Sequence, residues 1–555
     1  MVFDLKLRLR TIRRHLKMTD LPWGIVCLRK LSDTCCQRLR FNRETCYRVS
    51  VVFLTYIAYM SYHMSRKPIS VVKAVLHRNC SDIKPDPDPD NPNWCDWAPF
   101  DGNDSQQLLG ELDSSFLFCY AVAMFASGFI AERVNLRYFL AFGMVFSGIF
   151  SYGFGIGKTY DIHNIYYYVV MQGAAGIAQT TGWPGVVTVM SNWFGKSKRG
   201  LIFGLWNSHT SIGNILGTYI AGEFVETDWA YSFIVPGAVI ALVGLILFLF
   251  LVVNPGDVGL LRETANLSDY RPSQRPLVDQ VANDEHSSGN SDVDDTPIFV
   301  GEHVEPRIRT NLARDYLIEV ERRETEGTPL LASSRRNERA IGFVGACKIP
   351  GVIEFSLSLF FSKLVSYTFL YWLPLFINST NEKMSARLSA DISILFDVGG
   401  IAGAILAGVV SDKTGMSATT CVGMLILAAP LMIIYQMLSA VSLPINMFLL
   451  IIVGVFVNGP YALITTAVSA DLGNHRCLEG NSKAMATVTA IIDGTGSIGA
   501  AVGPLLAGFI SSYSWKYVFI MLMISDILAL VLLLRLVKQE LSRVQWFRHR
   551  GLRRD

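Results

Sequence analysis

Residues 51–76 read VVFLTYIAYMSYHMSRKPISVVKAVL. From Val51 to Met64 there is no formal charge; Arg66 and Lys67 then interrupt, and after Pro68 the apolar run resumes. Spanning ~30 Å of hydrocarbon takes ~20 apolar residues of helix. Arg66 stands about 15 residues, roughly 22 Å at 1.5 Å per residue, into such a helix, short of its far side. An arginine at that depth costs ~2.5–3.5 kcal/mol on insertion scales, so it faces protein or a wet cavity; the alternative is a span that ends here with the cations snorkelling to the interface. The apolar ISVV favours continuation, with Pro68 bending the helix. Neighbouring residues point ~100° apart, so one of the two cations faces the cavity squarely, and Arg66 is the choice.

Outward from this stretch, 555 residues with 51% hydrophobic and 17% charged depart from soluble averages as long apolar segments would make them. Twelve segments of spanning length are expected, near 50–76, 114–132, 138–157, 165–191, 200–222, 230–252, 350–378, 388–411, 419–440, 445–470, 483–510 and 516–537. The fold class is an all-α polytopic membrane protein. Residues 1–48 hold twelve Lys or Arg against four acids, and the terminal QWFRHRGLRRD is also basic. The positive-inside rule places both tails, 1–48 and 538–555, in the cytoplasm, which an even number of spans permits. Arg133, Arg137, Lys196, Lys198, Arg199, Lys413, Arg476 and Lys483 fall on the same side, and the acidic loop 77–113 on the other. Sequons at Asn79, Asn103 and Asn378 lie in loops assigned outside, so these are glycosylation candidates. Cys80 and Cys95 share the outer loop, where they could pair or stay free thiols.

Residues 254–345 shift to Ser, Asp, Asn, Glu and Pro, as in SQRPLVDQVANDEHSSGNSDVDDTP. Such a segment buries too little apolar surface to offset its ordering entropy and reads as a disordered cytoplasmic linker. It separates two six-span domains, 49–253 and 346–537. Each half carries one copy of a pattern: GFIAERVNLR, Gly128 to Arg137, and GVVSDKTG, Gly408 to Gly415, both with a glycine, an acid four residues on and a base next. The second lacks the further base, having Met416 and Ser417. This pair resembles the loop signature of the major facilitator superfamily, which implies two pseudo-symmetric six-helix bundles around a central cavity. Small residues three and four apart in GGIAGAILAG (399–408) and GTGSIGAAVG (494–503) suit close helix packing in lipid, with hinge motion the alternative.

A cationic cavity calls for an anion, and the planar arginine fork matches phosphate oxygens in bidentate fashion. Lys67 adds a nearby charge, and Lys363 lies inside FSLSLFFSKLVSYTFLYWLPLFI of the second half, giving one cationic site per bundle. Asp397 and Asp493 are also at membrane depth and are counter-ion candidates for Lys363 or Lys67, with proton coupling the alternative. No nucleophile beside its base, metal-ligand cluster or Gly-rich phosphate loop after a strand marks an enzyme, and no cofactor or nucleic-acid partner is implied.

Between Gln179 and Asn214 the chain has GWP at 182–184, WF at 193–194, RG at 199–200, and Trp206, Asn207 and His209. With Arg66-Lys67 this is similar to the organophosphate:phosphate antiporters. YHMSRKPISVVK, QLLGELD and RGLIFGLWNSHTSIGNILG look most like the eukaryotic sugar-phosphate exchangers, the glucose-6-phosphate transporter among them. The resemblance implies a sugar phosphate and inorganic phosphate as substrates, probed alternately from each side of a lipid membrane. It makes Arg66 the phosphate-binding arginine, Tyr59 and Tyr120 cavity tyrosines, and Asn207 and His209 a fifth-span pair whose His contacts phosphate. From chemistry alone His209 could equally be a helix-to-helix hydrogen-bond donor. His63, Lys67, Lys363 and Tyr367 complete the substrate-binding candidates. Two positions depart from the family: Met124 stands where several relatives have a lysine, and Ser366 where they have an arginine. The resemblance also implies the endoplasmic reticulum membrane and functional coupling to a phosphatase, whereas the linker's EGTPLL, Glu326 to Leu331, fits a dileucine signal for lysosome or endosome. A carrier of another organic anion or of uncharged sugar, and a non-transporting membrane sensor, are the rival readings.

Overall fold

Prolines and capping residues decide where each helix starts and bends. In the computed structural model, residues 21–27, 43–76, 90, 95–131, 133–194, 206–260, 343–380, 384–473 and 484–551 are described. Asn79, Cys80, Glu326 to Leu331 and the linker from 261 to 342 lie outside them.

The first span is not one bent helix over 50–76 but two, α1 (Arg43–Arg66) and α2 (Pro68–Leu76). Pro68 lacks the N–H that would extend α1, so the helix restarts with Lys67 at the joint. Then come α3 (Ser105–Ala131), α4 (Leu136–Thr159), α5 (Ile165–Gln179), α6 (Gly182–Trp193), α7 (His209–Phe224) and α8 (Trp229–Phe250). Asn135, Asn164 and Asp228 cap α4, α5 and α8, each accepting from the backbone N–H two residues on, which satisfies one of the donors a helix start leaves open. The second half holds the short α9 (Phe343–Cys347), then α10 (Val352–Thr380), α11 (Ala386–Thr414), α12 (Ser417–Leu438), α13 (Leu443–Leu463), α14 (Ser469–Gly473), α15 (Ala484–Ser511) and α16 (Trp515–Gly551). Gly415 closes α11 at φ 66°, the left-handed conformation that glycine adopts without penalty.

The fourth expected span is also interrupted, at Thr180–Thr181 between α5 and α6. Pro184 cannot donate to the Thr180 carbonyl four residues back; Ser127 Oγ of α3 takes that acceptor at 2.7 Å. Its counterpart in the second half is a π-helical turn, Ile464–Val468, between α13 and α14, four residues after Pro460. The same chemistry operates in α10, where Pro374 frees the Leu370 carbonyl and Lys67 Nζ of the first half donates to it at 3.0 Å. The domain boundaries placed at 48/49 and 537/538 fall within helices: α1 begins at Arg43 and α16 runs to Gly551.

Numbering spans within each half, third packs on sixth (α4 on α8, α12 on α16), first on fifth (α1 on α7, α10 on α15) and second on fourth (α3 on α5, α11 on α13). Between halves the second span of one packs on the fifth of the other, α3 on α15 and α11 on α7. This exchange symmetry is that of two bundles related by a two-fold axis. Glycine permits the tightest of these contacts: a Cβ on Gly399 or Gly403 would overlap the carbonyl oxygens of Ile451 or Val455 on α13. Among the described residues nine helices are long and apolar enough to cross a membrane. The buried share of the apolar window is 83% in α10 and 72% along α15, but 39% in α8 and α16, so α10 and α15 line the middle while α8 and α16 face lipid.

At the end bearing the acidic loop the halves are held by Arg387–Glu223 at 2.6 Å, Ser511 Oγ donating to Gln106 at 2.9 Å and Ser114 Oγ donating to the Ala501 carbonyl at 3.1 Å. Beneath them Lys73, fully buried, pairs with Asp113, donates to the Tyr371 carbonyl at 3.2 Å and lies 3.9 Å from the Trp372 ring centroid. In the acidic loop Cys95 is disulfide-bonded, to a residue outside those described.

Candidate functional site

The two cations at the joint between α1 and α2 aim in different directions. Arg66, 5% exposed, turns into the first bundle. Its Nε donates to Gln179 Oε1 at 2.6 Å, and its guanidinium carbon lies 4.8 Å from the Tyr120 ring centroid and 5.6 Å from that of Phe116. Gln179 ends α5, just before the break in the fourth span, and its amide nitrogen donates to Ser65 Oγ at 3.0 Å and Ser147 Oγ at 2.9 Å. The amide is thus fixed by the first and third spans and in turn fixes Arg66. One terminal guanidinium nitrogen, Nη2, is buried with no hydrogen-bond partner among the described residues. An arginine fork so held presents unused donors in a dry wall, the arrangement that charge-assisted bonding to an oxyanion requires.

Lys67 turns the other way, toward the second bundle. Besides the Leu370 carbonyl it meets Asp397 Oδ2 at 3.9 Å. Asp397 Oδ1 accepts from Asn214 of α7 at 2.8 Å, and Asn214 Oδ1 lies 3.3 Å from His63 Nδ1. Lys363 is paired within its own bundle: Nζ donates to Asp493 Oδ1 at 2.6 Å and to Ser497 Oγ at 3.4 Å. Three buried lysines, Lys67, Lys73 and Lys363, therefore have carboxylates beside them, whereas the partner of Arg66 is a neutral amide. Buried charges of one sign without an opposite charge are costly, and of these four cations the Arg66 guanidinium bears that cost.

Arg66 lines a cavity of the first bundle with Asp113, Ser147 and Gln179, closed on one side by Tyr371; a separate chamber between the bundles brings other candidates together. Tyr59, Tyr120 and Asn207 from the first half and Lys363, Tyr367 and Asp493 from the second line one lobe of it. A second lobe, sharing Asn207, Tyr367 and Tyr461, is lined by His63, Asn214, Ser366, Asp397 and Asn458. His209, the phosphate contact that the resemblance implies, sits among aromatic rings. It is fully buried with ring centroids 4.4 Å from Trp206, 4.8 Å from Tyr59 and 5.7 Å from Tyr56, and its Nδ1 lies 3.2 Å from Thr210 Oγ1. The rings pack against it edge-on, and its Nε2 is buried with no hydrogen-bond partner among the described residues. Met124 is fully buried in apolar surroundings.

Gln179, Ser147, Asn214 and Asn458 were not anticipated. Each is a polar side chain within an apolar span, and that signal was available. Of the sequons, Asn103 is exposed in a turn; Asn378 has its amide nitrogen, the atom a glycan would occupy, donating to the Met384 carbonyl at 2.9 Å. Among the described residues no cluster of His, Cys, Asp or Glu could hold a metal ion.

A family model described as Major Facilitator Superfamily matches residues 55–476. Among curated proteins, a glucose-6-phosphate exchanger of Danio rerio is 51% identical over 504 residues, covering 90% of this chain and 94% of its own. A glucose-6-phosphate exchanger of Homo sapiens is 50% identical over 505 residues with the same coverages, and a second human one is 47% identical over 524 residues, with 91% and 95% covered. Among solved structures, a bacterial homologue of the human lysosomal transporter Spinster, in an inward-facing and unoccupied conformation, superposes with a TM-score of 0.54 at 14% identity, over 89% of this chain and 98% of that one. That likeness extends to the fold.

Proposed function

The chain belongs to the Major Facilitator Superfamily, and from that premise we propose that it is a sugar-phosphate:inorganic-phosphate antiporter, with glucose 6-phosphate the preferred sugar phosphate, working by alternating access. The observation that carries the reading is the electrostatic state of the joint at Arg66: a buried guanidinium whose neighbour is an amide, with an unused donor nitrogen, packed on Tyr120 at the edge of a chamber whose lysine, Lys363, already has a carboxylate. The curated relatives at about half identity bear the name glucose-6-phosphate exchanger, which supports the same substrate pair.

Arg66 binds the phosphoryl group. Lys363 assists once the phosphate draws it from Asp493, and Tyr59, Tyr120 and Asn207 complete the wall. No covalent chemistry occurs. A bound anion cancels the charge at Arg66, so the bundles can close over a loaded site; an empty one keeps an uncompensated cation in a narrowing, dry cavity. Since a ligand shifts a conformational equilibrium only by its differential affinity for the two states, this couples movement to loading and gives exchange rather than leak. The contacts joining the halves at the acidic-loop end support a state open toward the opposite side. The membrane is that of the endoplasmic reticulum in this reading, with coupling to a phosphatase that consumes the sugar phosphate and with a glycan on the outer loop.

The test is phosphate:phosphate exchange in proteoliposomes. Arg66→Ala is expected to abolish it while the purified protein stays monodisperse; retained exchange refutes the assignment.

A further inference from the structure

The two lobes of the chamber differ in chemistry, and the difference falls where the second half departs from its relatives. The lobe around Lys363 has a cation, its carboxylate and tyrosines. The other has amides, hydroxyls and one carboxylate, and Ser366 lies in it. Ser366 Oγ donates to Asn458 Oδ1 at 2.6 Å. That bond orients the Asn458 amide and leaves its nitrogen, which has no acceptor among the described residues, against Gly400 of α11. One turn before Gly400 on α11, Asp397 is 3% exposed; its Oδ1 is taken by Asn214, while Oδ2 is buried without a hydrogen-bond donor. Lys67 stands 3.9 Å from that oxygen, beyond hydrogen-bond reach. A buried carboxylate oxygen lacking a donor, lining the same cavity as an amide N–H without an acceptor, is costly unless a ligand satisfies it.

Resting on the antiporter reading, we propose that this lobe is the subsite for the hydroxyl-bearing body of the sugar phosphate, with Asp397 Oδ2 accepting from one sugar hydroxyl and the Asn458 amide donating to a neighbouring hydroxyl. A hydroxyl both donates and accepts, so vicinal hydroxyls satisfy the acceptor and the donor together; a phosphate dianion satisfies only the donor and leaves the Asp397 acceptor open. Hydrogen-bonding capacity therefore orients the ligand, phosphoryl group toward Arg66 and Lys363, hydroxyls toward Asp397 and Asn458. Tyr367 and Tyr461, shared by both lobes, lie where the two parts of the ligand join. The lobe is narrow in this conformation, with about 30 Å³ for the centre of a water-sized sphere, enough for about two ordered waters. The hexose displaces these when the bundles part.

The test compares two transport modes in proteoliposomes loaded with phosphate: uptake of labelled phosphate and uptake of glucose 6-phosphate. Asn458→Leu preserves shape and removes the amide. It is expected to raise KM for glucose 6-phosphate about tenfold, as for a binding-site hydrogen bond lost to a ligand hydroxyl, with KM for phosphate within twofold of wild type. Propyl phosphate, which has no hydroxyls, should be a poor substrate of the wild type, and the preference for glucose 6-phosphate over it should shrink by the same tenfold in the variant. Ser366→Ala, which deletes one oxygen and releases the amide, is expected to act in the same direction and carries the test if Asn458→Leu fails to fold. Parallel changes in both KM values, no change in either, or equal wild-type use of propyl phosphate and glucose 6-phosphate would overturn the subsite and leave phosphate exchange standing. Absence of phosphate self-exchange by the wild type would remove both.

Discussion

Replacing Gln179 with Glu should turn the anion site against its own substrate. The change keeps shape and swaps the amide NH2 for a second carboxylate oxygen. Ser65 and Ser147, which accept from that NH2 at 3.0 and 2.9 Å, have hydroxyls that can rotate to donate instead, so the local geometry survives. What changes is charge. Arg66 Nε lies 2.6 Å from the side-chain oxygen of residue 179, placing the charge centres about 4 Å apart; at an effective dielectric of ~20 the attraction is about 4 kcal/mol. An external phosphate must compete with this internal carboxylate, and at ~1.4 kcal/mol per decade the handicap is about a thousandfold. The assay is phosphate:phosphate exchange in proteoliposomes across a wide range of external phosphate, alongside thermal unfolding of the detergent-solubilised protein. The expected result is exchange too weak to saturate, with Tm unchanged or raised because a lone buried cation has gained a partner. A phosphate KM within threefold of wild type, with the protein folded, would refute the claim that Arg66 is an uncompensated charge.

Other perturbations separate the structural ion pairs from the functional ones. Lys73→Met leaves Asp113 buried and unpaired, an expected loss of about 3–5 kcal/mol, read as a large fall in Tm; Lys73→Met with Asp113→Leu should recover most of it. Arg387→Ala removes a pair whose side chains are 47% and 46% exposed, and such pairs contribute about 0–1 kcal/mol, so Tm should shift little. Gly399→Ala places a methyl group into the Ile451 carbonyl and should cost about 1–3 kcal/mol as overpacking, whereas Gly423→Ala, with nothing within 4 Å, should be neutral or stabilising by up to about 1 kcal/mol through helix propensity.

The fold was readable because its strongest signals are local. Uncharged runs, basic tails and the two copies of the glycine–acid–base pattern each act over a few residues, and together they yield two six-span halves. Arg66 was readable for the same reason, a charge at a depth that needs an explanation. The breaks at Lys67 and at Thr180–Thr181 were partly readable: Pro68 and Pro184 are visible, but whether a proline bends a helix or divides it depends on what takes the carbonyl it releases, and Ser127 comes from another span. Gln179 was not readable as the holder of Arg66, since one amide among small residues gains meaning only when the first, third and fourth spans meet. For His209 the sequence offered a family role but not its neighbours: the rings of Tyr56, Tyr59 and Trp206, brought in from two segments, surround it.

The Leu370 carbonyl is an acceptor for which two donors compete, one of them erased by Pro374. Restoring that donor with Pro374→Ala would let α10 complete its own ladder, and the segment taken alone would become a better helix. The same repair would take the acceptor away from Lys67 and so cut a tether across the interface. In this chain a local defect in one rod is the means by which the other half of the molecule is gripped, and improving the rod loosens the grip.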